Sequence, residues 1–299
     1  MVIGNQKMTS AKKQHYVPQF YLKGFSNDGV HLSFEDKVSG IVKPVNIRDI
    51  AQENRFYNLE ISEDNLTKKG RETLALEKDY VFIENKKRIF SLERWFHPNE
   101  EAAAHVLINL KSKVKFQNLD YNDKVVLTDF IIMLMLRGKQ GEQKFNKIAK
   151  ENKKNNDTCM GMLKHHLKKE QYQKLEWLVA IVGVYEQYQQ KYRNFLLSRK
   201  WIFHSMAQGD KLNTSDNPVI LCNLNELESG IFENKTKGIL SASYVVIPLS
   251  KYCCLQITNE IASRPEEIIY NVCTQKLMQN INSLIKQNAV QRFFVTKTK

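Results

Sequence analysis

Cysteine is scarce and without pattern: Cys159, Cys222, Cys253, Cys254 and Cys273 are five in 299 residues. An odd number with no repeating spacing excludes a disulfide framework and points to reduced thiols in the cytoplasm. No Cys-x-x-Cys or His-Glu-x-x-His occurs, and the adjacent pairs His165-His166 and Cys253-Cys254 point in different directions on any regular element. Recognised metal-ligand spacings are therefore missing. So is a glycine-rich phosphate loop, which sets aside Walker ATPases, Rossmann dehydrogenases and kinases. The strongest apolar run, 125–136, is interrupted by Thr128 and Asp129 and falls short of the ~20 residues that span a bilayer. Met1 to Lys13 holds no apolar block of signal-peptide length. These absences describe a soluble, cytoplasmic protein with no membrane partner.

Acidic residues are outnumbered as well: Lys+Arg 45 against Asp+Glu 32 leaves +13. That balance favours polyanions, nucleic acid above all, although excess charge also serves solubility alone. A hydrophobic share of 42% argues against disorder, and the length suffices for a large core.

The most distinctive stretch runs from Gln14 to Phe25, Gln-His-Tyr-Val-Pro-Gln-Phe-Tyr-Leu-Lys-Gly-Phe. Pro18 pushes Val17 towards extended geometry, so the stretch reads as a short rigid extended arm, not a helix, carrying His15 and Tyr16. Such a histidine is either functional or structural. Ser26-Asn27-Asp28-Gly29 is a turn, and 30–37 and 41–47 form a hairpin whose second strand, holding Pro44, belongs at an edge. Arg55-Phe56-Tyr57 is a second polar-aromatic cluster.

From Arg71 the pattern turns helical, with helices expected over 71–81, 89–95, 100–110 after a Pro98-Asn99 start, and 123–136, the last buried nearly all round. The lysine-rich 138–156 reads as a solvated face. A long helix follows over 170–199, with a core stripe of Leu175, Leu178, Val182, Tyr185, Tyr192 and Leu196. After Lys200 strands return: a hairpin of 201–207 with 211–214, then 219–221, 243–249 and 253–257. A helix over 265–289 and a strand at 292–295 end the chain. The expectation is one α+β domain over 1–299, with an antiparallel sheet built from N- and C-terminal strands and a mostly helical middle layer. Residues 13–60 supply the arm and hairpin, 71–199 the helical insertion and 200–299 the C-terminal strands and helix.

Thr214-Ser215-Asp216-Asn217-Pro218 reads as a tight Asx-type turn, either satisfied by its own backbone or projecting beyond the sheet. A histidine and an aspartate on opposite halves of one sheet would make an acid/base pair if folding brings His15 to Asp216. Arg137, at a helix end, either complements the dipole, worth ~0.3–1 kcal/mol, or clamps a phosphate or carboxylate. Asp129 lies in the apolar run and needs a cation such as Arg137 or Arg55, unless it is an active-site acid. Cys159 has no base beside it.

The His15-Tyr16-Val17-Pro18-Gln19 opening and the Ser215-Asp216-Asn217-Pro218 motif resemble a bacterial family catalogued as domain of unknown function four-two-three-eight. So do, in the same order, the Arg55-Phe56-Tyr57 cluster, the 130–137 helix end, Ile247-Pro248-Leu249-Ser250 and the 282–289 helix. The resemblance implies a cytoplasmic protein, and some members are associated with single-gene defence against phage. On that footing the expectation is an anti-phage effector acting on nucleic acid, a nuclease for RNA or DNA. His15 is then its acid or base and Asp216 an orienter or a ligand to a divalent metal. Arg137 and Asn217 are phosphate contacts, and Tyr16, Gln19, Arg55, Tyr57 and Ser215 complete the substrate-binding set. Two alternatives stay open: a non-enzymatic sensor of a phage-encoded trigger, and a nucleotide-directed hydrolase or transferase whose aromatic clusters stack a base.

Overall fold

A computed structural model describes residues 12–62, 68, 81–84, 87–111, 119–143, 169–233 and 237–296. The arm begins as strand β1 (Lys13–His15), and Pro18, with φ −60° and ψ 140°, then caps a single helical turn, α1 (Gln19–Leu22). The extended geometry expected of the whole arm thus ends at Pro18, because Tyr21 and Leu22 gain full burial by turning inward. β2 (His31–Asp36) and β3 (Val42–Asn46) form the expected hairpin, followed by β4 (Gln52–Asn54) and β5 (Asn58–Ser62).

Where helices were expected over 71–81 and 89–95, the chain makes β6 (Val81–Glu84) and β7 (Lys87–Ser91), so strand replaces helix at 81 and at 89–91; residues 71–80 lie outside the described set. Both strands are rich in β-branched and aromatic residues, and β7 also pairs with β5, so tertiary pairing overrides the helical reading. Helix α2 (Glu93–Lys111) starts well before the Pro98-Asn99 signal and includes Pro98. Helix α3 (Tyr121–Arg137) is fixed by a reciprocal cap in which the Asp123 amide donates to Asp120 Oδ1 at 2.9 Å and the Asp120 amide to Asp123 Oδ2 at 3.1 Å. Helix α4 (Lys169–Leu197) packs on α3. Arg137 or Arg55 was the cation expected for Asp129 of α3. Arg193 of α4 holds it bidentately, at 3.0 and 2.6 Å.

The C-terminal half supplies β8 (Arg199–Ser205), β9 (Thr214–Ser215), β10 (Ile220–Cys222), α5 (Leu224–Ser229), β11 (Tyr244–Ser250), β12 (Cys253–Ile261), β13 (Ile268–Val272), α6 (Gln275–Asn288) and β14 (Arg292–Val295). Two expectations fail here. Residues 211–214 do not pair with β8, which lies between β12 and β13, while β9 joins β14 in another sheet. The helix expected from 265 begins only after Thr274, whose hydroxyl accepts the Leu277 amide at 3.2 Å. The β-branched run before it is β13, parallel to β8. Once started, α6 buries Met278, Ile281, Leu284 and Ile285 along one face.

The four sheets are ordered β3-β2-β14-β9, β10-β11-β12-β8-β13, β5-β7-β6 and β1-β4. In the first, Phe294 of β14 stands opposite Phe34 of β2 and Thr214 of β9, so the first and last parts of the chain share a sheet, and the fold is α+β. Pro44 lies on the edge strand of that sheet, where its missing N–H costs no ladder bond. Among the described residues no helix is long and apolar enough to cross a membrane.

Candidate functional site

The arm is positioned by β4, with His15 opposite Gln52, and by residues just beyond it. Gln14, fully buried, donates through Nε2 to Asn58 Oδ1 at 2.7 Å and accepts the Tyr57 amide on Oε1 at 2.6 Å. Tyr16 donates its amide to the Ala51 carbonyl at 2.9 Å and packs its ring on Phe56 at 5.5 Å. Ala51 and Arg55, which flank β4, have φ of 54° and 52°, the left-handed region that side chains other than glycine rarely adopt. Two such residues beside one short strand mark the segment as held by its surroundings.

Arg137 ties the arm to the helices. Its guanidinium is buried, bonded to Glu100 and to the His15 carbonyl, and donates from Nε to the Tyr57 hydroxyl at 3.1 Å. That hydroxyl donates in turn to the Arg137 carbonyl at 3.0 Å, and the cation sits 4.4 Å over the Phe96 ring. Burial alone would lower its pKa, but Tyr57 and Glu100 outweigh burial and raise it. The arginine is therefore a cross-brace with protein on every side.

Beside this brace, Nε2 of His15 and Oε2 of Glu93 are buried with no hydrogen-bond partner among the described residues. Burial, chiefly, lowers the His15 pKa; the Ile47 backbone opposes the shift and Arg137 adds to it, so the ring is neutral at pH 7. Burial pushes the Glu93 carboxyl up to about 7, with Arg137 opposing and Glu100 reinforcing. Glu93 was not among the residues singled out from the sequence. Its only local signal is its place in the first turn of α2, and its burial follows from tertiary packing.

The Ser-Asp-Asn-Pro motif builds a latch. Asp216 accepts the Val290 amide at 2.8 Å on one oxygen and those of Gln291 at 2.7 Å and Arg292 at 3.0 Å on the other. Burial nevertheless leaves its pKa raised. Ser215 Oγ accepts the Asn217 amide at 3.1 Å. Asn217 donates to the Asn288 carbonyl at 3.0 Å, and Asn288 returns the bond to the Asn217 carbonyl at 2.8 Å. The motif thus clamps the junction of α6 and β14 onto β9.

No hydrogen bond or ion pair joins His15 to Asp216 among the described residues. The nearby charges that act on the His15 ring are Arg137 and Glu100. Asp216 instead acts on Tyr16, whose hydroxyl is pushed up first by burial and then by Asp216, with Arg292 opposing. Alternation along the arm separates the two neighbours in this way. The α3 end reaches the same place, since a Cβ on Gly138 would lie 3.8 Å from the Asp216 carbonyl. Of the remaining candidates, Gln19 is half-buried in α1, and Arg55 is ion-paired with Glu60 while its carbonyl accepts Lys174 Nζ at 3.0 Å.

A further charged group lies on the Tyr16 side. Lys139 is 4.6 Å from the Phe56 ring centre and 5.9 Å from that of Tyr16, is ion-paired with Glu53, and lies 3.8 Å from Glu142. Burial raises the Glu142 pKa and lowers that of Lys174 beside it. Among the described residues no three His, Cys, Asp or Glu side chains are grouped to hold a metal ion. Cys159, His165, His166 and the lysines of 144–154 lie outside the described residues.

Fold and site define an α+β protein in which β14 pairs with the first hairpin and is latched to β9, beside a buried arginine brace. The chain belongs to the family described as protein of unknown function (DUF4238), which it matches over residues 13–299. No curated protein and no solved structure matches it.

Proposed function

We propose that the protein is a cytoplasmic effector of bacterial anti-phage defence that acts on nucleic acid as a nuclease, with His15 as its proton-transfer group. The observation that carries this reading is the neutral imidazole whose Nε2 has no partner among the described residues, set beside the Arg137–Glu100 pair in a chain of charge +13. A neutral ring can take a proton from an attacking hydroxyl, and a basic surface draws a polyanion towards it. Nε2 is covered, so substrate reaches it only as the covering groups move. Asp216 takes a positioning role here: it fixes the late turn against Tyr16 and does not touch the imidazole. Incubation of purified protein with labelled RNA and DNA, with and without divalent ions, tests the reading. Cleavage that is lost in His15→Gln and kept in a folded Asp216→Asn supports it; intact substrates under all conditions remove it.

A second reading, a non-enzymatic sensor of a phage component, is favoured by the internal bonding of Ser215, Asp216, Asn217 and Arg137. It predicts capture of a phage-encoded partner with every nucleic acid left intact.

A further inference from the structure

Beyond His15 and the brace, the turn into β2 builds a small polar site beside a partly apolar cavity. Gly29, at φ +74°, lets the chain reverse so that Asp28 faces the residues after it. Asp28 Oδ1 accepts the Val30 amide at 2.8 Å and the His31 amide at 2.7 Å, with Ser26 Oγ at 2.8 Å. Oδ2 lies 2.8 Å from His31 Nδ1. The His31 amide and ring, followed by Val30 and Ser26, hold this carboxyl well below the usual carboxylate range. An ionised acceptor on Nδ1 fixes the tautomer: the neutral ring carries its proton on Nδ1 and leaves the Nε2 lone pair for another partner. No described protein group bonds Nε2.

His31 lines a cavity of about 180 Å³, whose apolar walls are Phe25, Leu32, Pro44 and Val295 and whose other polar lining is Asn27, Asp28 and Ser33. At ~30 Å³ per liquid water this is the space of about six waters, or of one ring system. Apolar walls with an imidazole acceptor among the lining groups suit a planar ligand that donates an N–H. The charge of Asp28 disfavours an anion, and Lys251 is bonded to the Ser26 carbonyl at 2.7 Å and Asn27 Oδ1 at 3.0 Å.

We propose that this cavity binds a neutral planar heterocycle of nucleobase size, held by an N–H donated to His31 Nε2. The site touches the arm only at its last residue, Phe25, and does not depend on the nuclease reading. The base can come from a free nucleoside or from a single-stranded chain. The experiment is ¹⁵N-histidine NMR of the full chain titrated with adenosine, guanosine, cytidine and uridine, and in parallel with a short single-stranded RNA. Saturable displacement of the His31 Nε2 resonance by at least one nucleoside is expected. His31→Ala should weaken that binding about fivefold to tenfold, the share of one hydrogen bond. Pro44→Trp, at an exposed edge position, should block it by filling the cavity. RNA that competes with the nucleoside assigns the base to a chain, and RNA that does not assigns it to a free ligand. A His31 resonance unmoved by all four nucleosides, an Nε2 found protonated, or binding indifferent to both substitutions overturns the proposal.

Discussion

Replacing Glu93 by Gln probes the buried charge cluster through its dependence on pH. In the folded chain the carboxyl holds its proton up to about 7, against an ordinary value of 4.5. The folded state therefore binds the proton more tightly than the unfolded chain does. By linkage, the stabilisation is fully present below 4.5, declines as pH rises, and is gone once pH exceeds about 7. At ~1.4 kcal/mol per pH unit the whole change amounts to about 3 kcal/mol, an upper figure because part of the side chain meets water. The neutral amide of Glu93→Gln does not titrate. Urea unfolding of both proteins at intervals between pH 4.5 and 8 should show their stability difference moving by about 2–3 kcal/mol in favour of the variant as pH rises. His15 works in the opposite sense, since its lowered pKa removes stability as pH falls through 6.5 and below. It is common to both proteins and cancels in the difference. A difference that stays flat across this range would show that Glu93 is solvated, and the argument from its burial would be wrong.

Three further substitutions test the frame. Asp216→Asn puts an amide donor against the amides of Val290, Gln291 and Arg292, so it should destabilise by on the order of 3 kcal/mol and speed hydrogen exchange at those three positions. Tyr57→Phe removes the hydroxyl that bridges Arg137 Nε and the Arg137 carbonyl, with an expected loss of about 3 kcal/mol in chemical denaturation. Gly141→Ala would place a Cβ 2.2 Å from the Leu136 carbonyl oxygen, so the turn after α3 must shift, at about 1–3 kcal/mol in a thermal melt.

What the sequence revealed and what it hid divide along physical lines. The β2–β3 hairpin with Pro44 at its edge, the buried α3 and the span of α4 are set by local pattern and turn chemistry, and were legible. The sharing of one sheet by the two chain ends was also legible, because a strand at 292–295 needs a partner and the first hairpin has an open side. β7 and β13 read as helix in the sequence because short apolar runs carry no period of their own and their partners, β5 and β8, are remote in sequence. Both motifs that stood out are structurally central, yet their partners could not be read. Asp216 looks like a reactive carboxylate in one dimension, and only the fold supplies the amides of 290–292 that occupy it. Glu93 shows the reverse case, an ordinary helical glutamate until packing removes it from water.

The account rests on His15 as the working group beside the brace, and the most direct measurement is the cleavage rate of labelled single-stranded RNA and DNA by the intact protein and by His15→Gln. The account predicts cleavage by the former that weakens steeply as salt rises, and a loss of at least a hundredfold in the latter with its fold unchanged. Equal rates from the two proteins, or no cleavage by either, would contradict it.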